Sequence, residues 1–277
     1  MEKYPLLSVK KLQDLISKKS NIVLLDATID KVTEKFDNAN AEYIEGTVFF
    51  DIENKFSDKT SNLPHTMISE NTFSTNMQDL GINNEDIIVI YDQWGVYSSP
   101  RAWWMLRYMG HEKTYVLNGG IQAWKAQNLS TVSSLREPEI KGNFKAKENK
   151  NWIESKETLH QKIGKSDITI TDARGTGRFN GTAPEPRPGL RSGHIPYSSN
   201  LPFDQVVDGP YLKNNEELSV LLADHVDNKK QNIFSCGSGI TASILALATY
   251  STGIENVSVY DGSWAEWGSD SNLPIEK

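Results

Sequence analysis

One pattern occurs twice along this chain, and that duplication limits what it can fold into more than any other feature. Residues 22–26 read IVLLD and residues 168–172 read ITITD. Each is a short β-branched run ending in Asp, as expected of buried parallel strands. DIIVIYDQWGVYSS (86–99) parallels QNIFSCGSGITAS (231–243), and setting Asp92 on Cys236 puts Gly95 on Gly239 without a gap. Helix-like runs follow both. After them YVLNGGIQAW (115–124) parallels SVYDGSWAEW (258–267), with Gly119 on Gly262 and Trp124 on Trp267. Asp26 lies 66 residues before Asp92, and Asp172 lies 64 before Cys236. The chain therefore divides into two α/β domains, 1–130 and 151–277, each expected to hold a mainly parallel sheet with helices on both faces. The polar stretch 131–150 between them is expected to connect the two over the surface.

Charge and cysteine usage exclude several classes of function. The 277 residues carry a net charge of -7, with the acidic excess spread over both halves. Nucleic acid and anionic membrane surfaces are thus not expected partners. The start, MEKYPLLSVKKLQDLI, mixes Lys and Asp into apolar residues at helical spacing and lacks the apolar core of a signal peptide. No run is long enough to span a bilayer, so a cytoplasmic protein is expected. A single cysteine rules out an internal disulfide and a cysteine-based zinc site. The five histidines (65, 111, 160, 194 and 225) show no metal-ligand spacing. Neither a metal nor a cofactor is expected.

The lone Cys236 opens the stretch Cys236-Gly237-Ser238-Gly239-Ile240-Thr241, a tight turn between a strand-like and a helix-like run. Glycines there let consecutive backbone N–H groups turn inward as a nest for negative charge. The following helix adds unpaired N–H groups and the positive end of its dipole. A thiol in that position is expected to favour its thiolate, the nucleophilic form. The first copy carries Asp92 at the same place, so only the second can use sulfur. A phosphatase would need Arg six positions after the cysteine to clamp phosphoryl oxygens, and position 242 is Ala. Asp26 and Asp172 are expected to tie loops through backbone N–H groups. The tryptophans 103, 104, 124, 264 and 267 are expected in packing.

With CGSGITA (236–242), GRFNGTAPEPR (177–187), SGHIP (192–196), YDGSWAEW (260–267), VFFDIE (48–53) and SSPRAWWMLRYMGH (98–111), the chain resembles the rhodanese superfamily of two-domain sulfurtransferases. Within it, the likeness is to the branch that acts on 3-mercaptopyruvate. The resemblance implies two tandem rhodanese-like domains, the first non-catalytic. It also implies transfer of sulfur from 3-mercaptopyruvate through a Cys236 persulfide, with release of pyruvate. The acceptor is a thiol, thioredoxin being the family's usual protein reductant, or cyanide. With no second cysteine, any resolving thiol must come from outside the chain.

The same resemblance assigns site residues. Arg178 and Arg187 match the arginines that take the substrate carboxylate and ketone, a task suited to the guanidinium fork. Ser238 matches a serine that relays protons with the cysteine and a carboxylate, and it could equally be a helix N-cap or turn residue. The relay carboxylate falls on Glu53, where the family has Asp. His65, in NLPHTM, matches a histidine lining the cleft. Gly237, Gly239, Ile240 and Thr241 form the substrate loop, with Thr241 expected to close the turn by hydrogen bonding. Arg191 is read as surface. Thiosulfate enzymes carry Arg and Lys after the cysteine, whereas Gly237 and Ser238 are uncharged. A thiosulfate:cyanide sulfurtransferase and a non-enzymatic persulfide carrier remain the alternatives.

Overall fold

The computed structural model describes residues 4–18 and 21–277. In chain order the first half forms β1 (Leu6–Leu7), α1 (Val9–Ser17), β2 (Ile22–Asp26), β3 (Val48–Phe49), α2 (Glu70–Asp79), β4 (Ile87–Tyr91), α3 (Ser99–Tyr108), β5 (Thr114–Leu117) and α4 (Gly120–Ala126). The second half begins with β6 (Ile153–Glu154), α5 (Lys156–Lys162), β7 (Ile168–Asp172), α6 (Thr176–Phe179) and β8 (Ser199–Asn200). It continues with β9 (Val207–Asp208), β10 (Tyr211–Leu212), α7 (Asn215–Leu222), β11 (Gln231–Ser235), α8 (Ile240–Ser251), β12 (Val257–Tyr260) and α9 (Ser263–Trp267).

Two sheets of the same topology result, β1-β5-β4-β2-β3 and β6-β12-β11-β7-β8. Every pairing recorded within them is parallel. Their central strands are apolar on both sides because helices cover both faces. In the first sheet Leu24, Val89, Tyr91 and Tyr115 meet Val9 and Leu12 of α1 and Ile121 and Trp124 of α4. Ile88, Ile90 and Val116 alternate to the other side, where α3 packs on β4 and β5. The second sheet repeats the scheme. Ile170, Ile233 and Tyr260 meet Leu159 of α5 and Trp264 and Trp267 of α9, while α8 covers β11 and β12. Trp103, Trp104, Trp264 and Trp267 are fully buried and Trp124 nearly so, the packing role expected of them.

Helix starts follow the local sequence. Ser8, Ser69, Ser155 and Asn214 accept from backbone N–H groups one turn in, each satisfying a donor the helix cannot. α3 lacks such a side chain at its own N-cap. Asp92 supplies the acceptor instead, taking the N–H groups of Tyr97, Ser98 and Ser99 at 2.8 to 3.0 Å. Among the described residues no helix is long and apolar enough to cross a membrane.

The chain separates into two compact units, and each takes a short segment from the other repeat. The first comprises Met1–Asp58, Met67–Asn149 and Gly209–Leu212, and the second Lys59–Thr66, Lys150–Asp208 and Lys213–Lys277. Residues 131–149, expected as a surface connector, lie along the first unit. There Arg136 N–H donates to Thr47 O and Lys147 N–H to Met109 O, and Phe144 is 1 % exposed. Within that unit Asn118 exchanges two hydrogen bonds with the backbone of Leu212. Gly95, at φ 110°, lets Pro210 approach: a Cβ there would fall 2.3 Å from Pro210 O.

Candidate active site

The second unit builds its site at the carboxyl end of β11. Strand pairing stops at Ser235, and the chain turns through Cys236-Gly237-Ser238-Gly239 into α8. Gly239 holds φ at 81°, a left-handed value that a side chain disfavours. It serves as the N-cap of α8, without a side-chain bond, so the first N–H groups of the helix point into the loop. Ile240 opens the helix and is buried. Cys236 is a free thiol, only 2 % exposed.

A second turn braces the first. Trp264 N–H donates to Cys236 O at 2.9 Å and Ala265 N–H to Gly237 O at 3.0 Å. Cys236 N–H donates to Ser263 Oγ at 3.2 Å, and that hydroxyl donates to Tyr260 O at 2.8 Å. Ser263 itself sits at φ 49°, the counterpart of Gly120 at φ 54° in the first repeat. Ser263 is thus a functional support that the motif YDGSWAEW contained but residue type alone did not single out.

The first repeat shows what such a loop binds. All four recorded backbone donors that converge on the Asp92 carboxylate lie at 2.8 to 3.0 Å, from Trp94, Tyr97, Ser98 and Ser99, and Ser99 Oγ donates at 2.6 Å. Asp92 is fully buried. A built-in anion occupies this nest, and in the second repeat the sulfur of Cys236 takes the same position in the strand-turn-helix.

Two guanidinium groups converge on the loop. A Cβ at Gly237 would lie 3.2 Å from Arg178 Nη2 and 3.7 Å from Arg187 Nη1. A side chain at 237 would press on the Arg178 guanidinium and shift it by a few tenths of an ångström, so the glycine leaves the two arginines their place beside the loop. Arg187, half-buried, has no hydrogen-bond or ion-pair partner among the described residues. Arg178 is anchored by Glu185 through Nε at 3.2 Å and Nη2 at 2.5 Å. Glu185 also receives Arg174 Nη1 at 2.7 Å. Arg174 forks onto Asp172 through Nε and Nη2, at 3.0 and 2.7 Å, and stacks over Trp264 with its guanidinium carbon 4.3 Å from the ring centroid. Arg174 and Glu185 were not found from sequence. The available signal was a carboxylate placed between two loop arginines in APEPR.

His65 belongs to the second unit through the segment Lys59–Thr66. Its Nδ1 lies 3.1 Å from Ser238 Oγ, and its backbone sits at φ 60°, uncommon for a residue with a side chain. Ser238 is 7 % exposed, one position ahead of the N-cap. Glu53 lies exposed in a turn of the first unit, whose Asp51 accepts from Asn54 N–H at 2.8 Å. Two expectations need correction. No side-chain hydrogen bond of Thr241 is present among the described residues, because the Tyr260–Ala265 turn closes the loop in its place. Arg191 is no solvated side chain. It donates to Trp267 O, Gly268 O, Asp270 O and Leu273 O and so ties the last turn of the unit together. Asp26 and Asp172 hold their loops as expected, accepting from Thr28 and Arg174 N–H, both at 2.9 Å.

Fold and loop together define a protein of two Rhodanese-like domains, matched at residues 8–127 and 155–270. The chain belongs to that family and is a sulfurtransferase. It is 39 % identical over 261 residues to the 3-mercaptopyruvate sulfurtransferase of Escherichia coli (strain K12), covering 92 % of each chain. Among solved structures it resembles the Tum1 protein from Saccharomyces cerevisiae, with a TM-score of 0.89, 32 % identity and coverage of 100 % of this chain and 99 % of that one. It is also similar to SseA from Escherichia coli, with a TM-score of 0.83, 34 % identity and coverage of 94 % and 99 %.

Proposed function

We propose that the enzyme moves sulfur from 3-mercaptopyruvate to an external acceptor through a persulfide on Cys236. The observation that carries this reading is the approach of Arg178 and Arg187 to Gly237, next to the buried thiol. A 2-oxo acid needs donors for its carboxylate and ketone, and a sulfur carrier without turnover would need neither. Relatives named 3-mercaptopyruvate sulfurtransferase at 38 and 39 % identity support the choice of donor.

The step balances as follows. Cys236 Sγ, as thiolate, attacks the substrate thiol sulfur. The S–S bond forms as the S–C3 bond breaks, and the electron pair departs into the pyruvate enolate, where the ketone can carry it. The thiol proton passes to C3, giving pyruvate and the Cys236 persulfide anion. Ser238, within hydrogen-bond reach of His65, is our candidate for relaying that proton. Glu53 is our candidate for the carboxylate in the relay. The loop N–H groups stabilise negative charge on both sulfur species, as the Asp92 nest does for its carboxylate. A thiol or cyanide then attacks the outer sulfur and restores the thiolate. Since Cys236 is the one cysteine, that thiol is external, and thioredoxin chemistry fits the requirement. A lone cysteine that must stay reduced to react also supports a cytoplasmic setting.

The test compares pyruvate release from 3-mercaptopyruvate with sulfur transfer from thiosulfate, cyanide being the acceptor in both, for wild type and Cys236→Ser. Fast pyruvate release, poor use of thiosulfate and an inactive variant are expected. Strong thiosulfate turnover would overturn the donor assignment.

A further inference from the structure

The two arginines beside Gly237 differ in one respect that neither sequence nor family membership specifies: one is neutralised and the other is not. Asp172 and Arg174 form a buried pair, both Asp172 oxygens receiving guanidinium N–H groups. The Glu185 carboxylate is buried as deeply, its side chain 2 % exposed, and it is shared between Arg174 Nη1 and the Nε–Nη2 edge of Arg178. Two carboxylates thus face two guanidinium groups and their charges cancel. Arg187, without an anionic partner among the described residues, leaves a single positive charge next to the loop. Gly237 and Ser238 add none.

We propose that Glu185 sets the donor charge class of this site: by neutralising Arg178 it leaves the arginine cluster beside the nucleophile at +1, matched to a monoanionic donor and mismatched to a dianion. This rests on the proposed reaction, in which the donor carries one carboxylate. Glu185 acts through Arg178 and is a positioning residue. It holds the Nε edge of the fork, so Arg178 presents its remaining donors to the ketone, while Arg187 takes the carboxylate as an unshared cation. Burial makes the arrangement effective, because water is kept from screening the pair and the carboxylate offsets the guanidinium charge more fully than it would at the surface.

Two variants move the charge in opposite directions. Glu185→Gln keeps shape and raises the local charge to +2. The ratio of kcat/KM for 3-mercaptopyruvate to that for thiosulfate is expected to fall by about tenfold or more, mainly through KM. Arg178→Gln lowers the charge to zero, and although both donors suffer, thiosulfate is expected to lose more. A structural role alone would lower both donors in parallel, and an unchanged ratio in either variant overturns the proposal. A second readout does not depend on turnover: protection of Cys236 from iodoacetamide by pyruvate, a monoanion, against protection by sulfate, a dianion. Glu185→Gln should shift protection toward sulfate by a similar factor. If wild type fails to turn over 3-mercaptopyruvate but the protection ratio shifts, the donor assignment fails and the charge rule stands. If it turns over and the ratio does not shift, the charge rule fails alone.

Discussion

Acidifying the protein from pH 7 to pH 5 should destabilise its first unit, and one buried histidine should account for most of the loss. His111 is 5 % exposed, bonds Thr114 Oγ1 through Nδ1 at 2.7 Å, and rests beside Phe144. Among the described residues its buried Nε2 has no hydrogen-bond partner. Burial pushes its pKa down from 6.5 to about 4, against a smaller upward pull from Asp86. The folded state therefore binds fewer protons than the unfolded one between pH 6.5 and pH 4, and stability falls with pH across that window. At pH 5 an unfolded His111 is almost wholly protonated and a folded one only about a tenth so, which costs about 2 kcal/mol. Asp26 works the other way. Burial raises its pKa from 3.8 to about 6, so the folded state takes up a proton first as pH falls, returning about 1 kcal/mol by pH 5. Urea unfolding followed by tryptophan fluorescence at pH 7, 6 and 5 measures the balance, with His111→Gln as control. Wild type should lose stability on acidification, while the variant, left with Asp26, should lose less or gain. Parallel pH dependence in the two proteins would refute the assignment.

Removing Arg187 as Arg187→Ala should raise KM for 3-mercaptopyruvate by about 10- to 150-fold, the worth of a hydrogen bond to a charged group, read from initial rates of pyruvate release. Ser238→Ala should lower kcat by roughly 10²-fold, at the lower end for a positioned proton relay, while mass spectrometry still detects a Cys236 persulfide. Asp92→Asn should lower the unfolding free energy of the first unit by about 2–3 kcal/mol as charge-assisted bonds weaken. Stopped-flow pyruvate release should be unaffected, because Asp92 caps a helix and touches no reacting atom.

Much of the architecture was legible because two elements of the sequence repeat at nearly constant spacing. The strand runs ending in Asp26 and Asp172 and the loops opening at Asp92 and Cys236 fixed the order of elements, and both sheets share one topology. The arginine loop was legible as motif, but its convergence on Gly237 was visible only in the fold, where both guanidinium groups come within 4 Å of where a Cβ would stand. What stayed hidden depended on chain crossings. Nothing local to NLPHTM says that Lys59–Thr66 joins the second unit, nor that Arg191 serves four carbonyls of the last turn. Arg174 and Glu185 escaped because charged residues in loops are ordinarily solvated, and only the folded chain buries them together.

Gly209–Leu212 belongs to the first unit although it is encoded more than 50 residues after that unit's main stretch ends at Asn149. During synthesis, then, the first repeat can assemble its sheet early, yet Asn118 must wait for Leu212 and the Gly95 turn for Pro210. The first unit is therefore complete only once synthesis has passed Leu212, well into the second repeat. A gene cut at the connector would consequently yield two fragments that each lack a piece of themselves, recoverable only by mixing the halves.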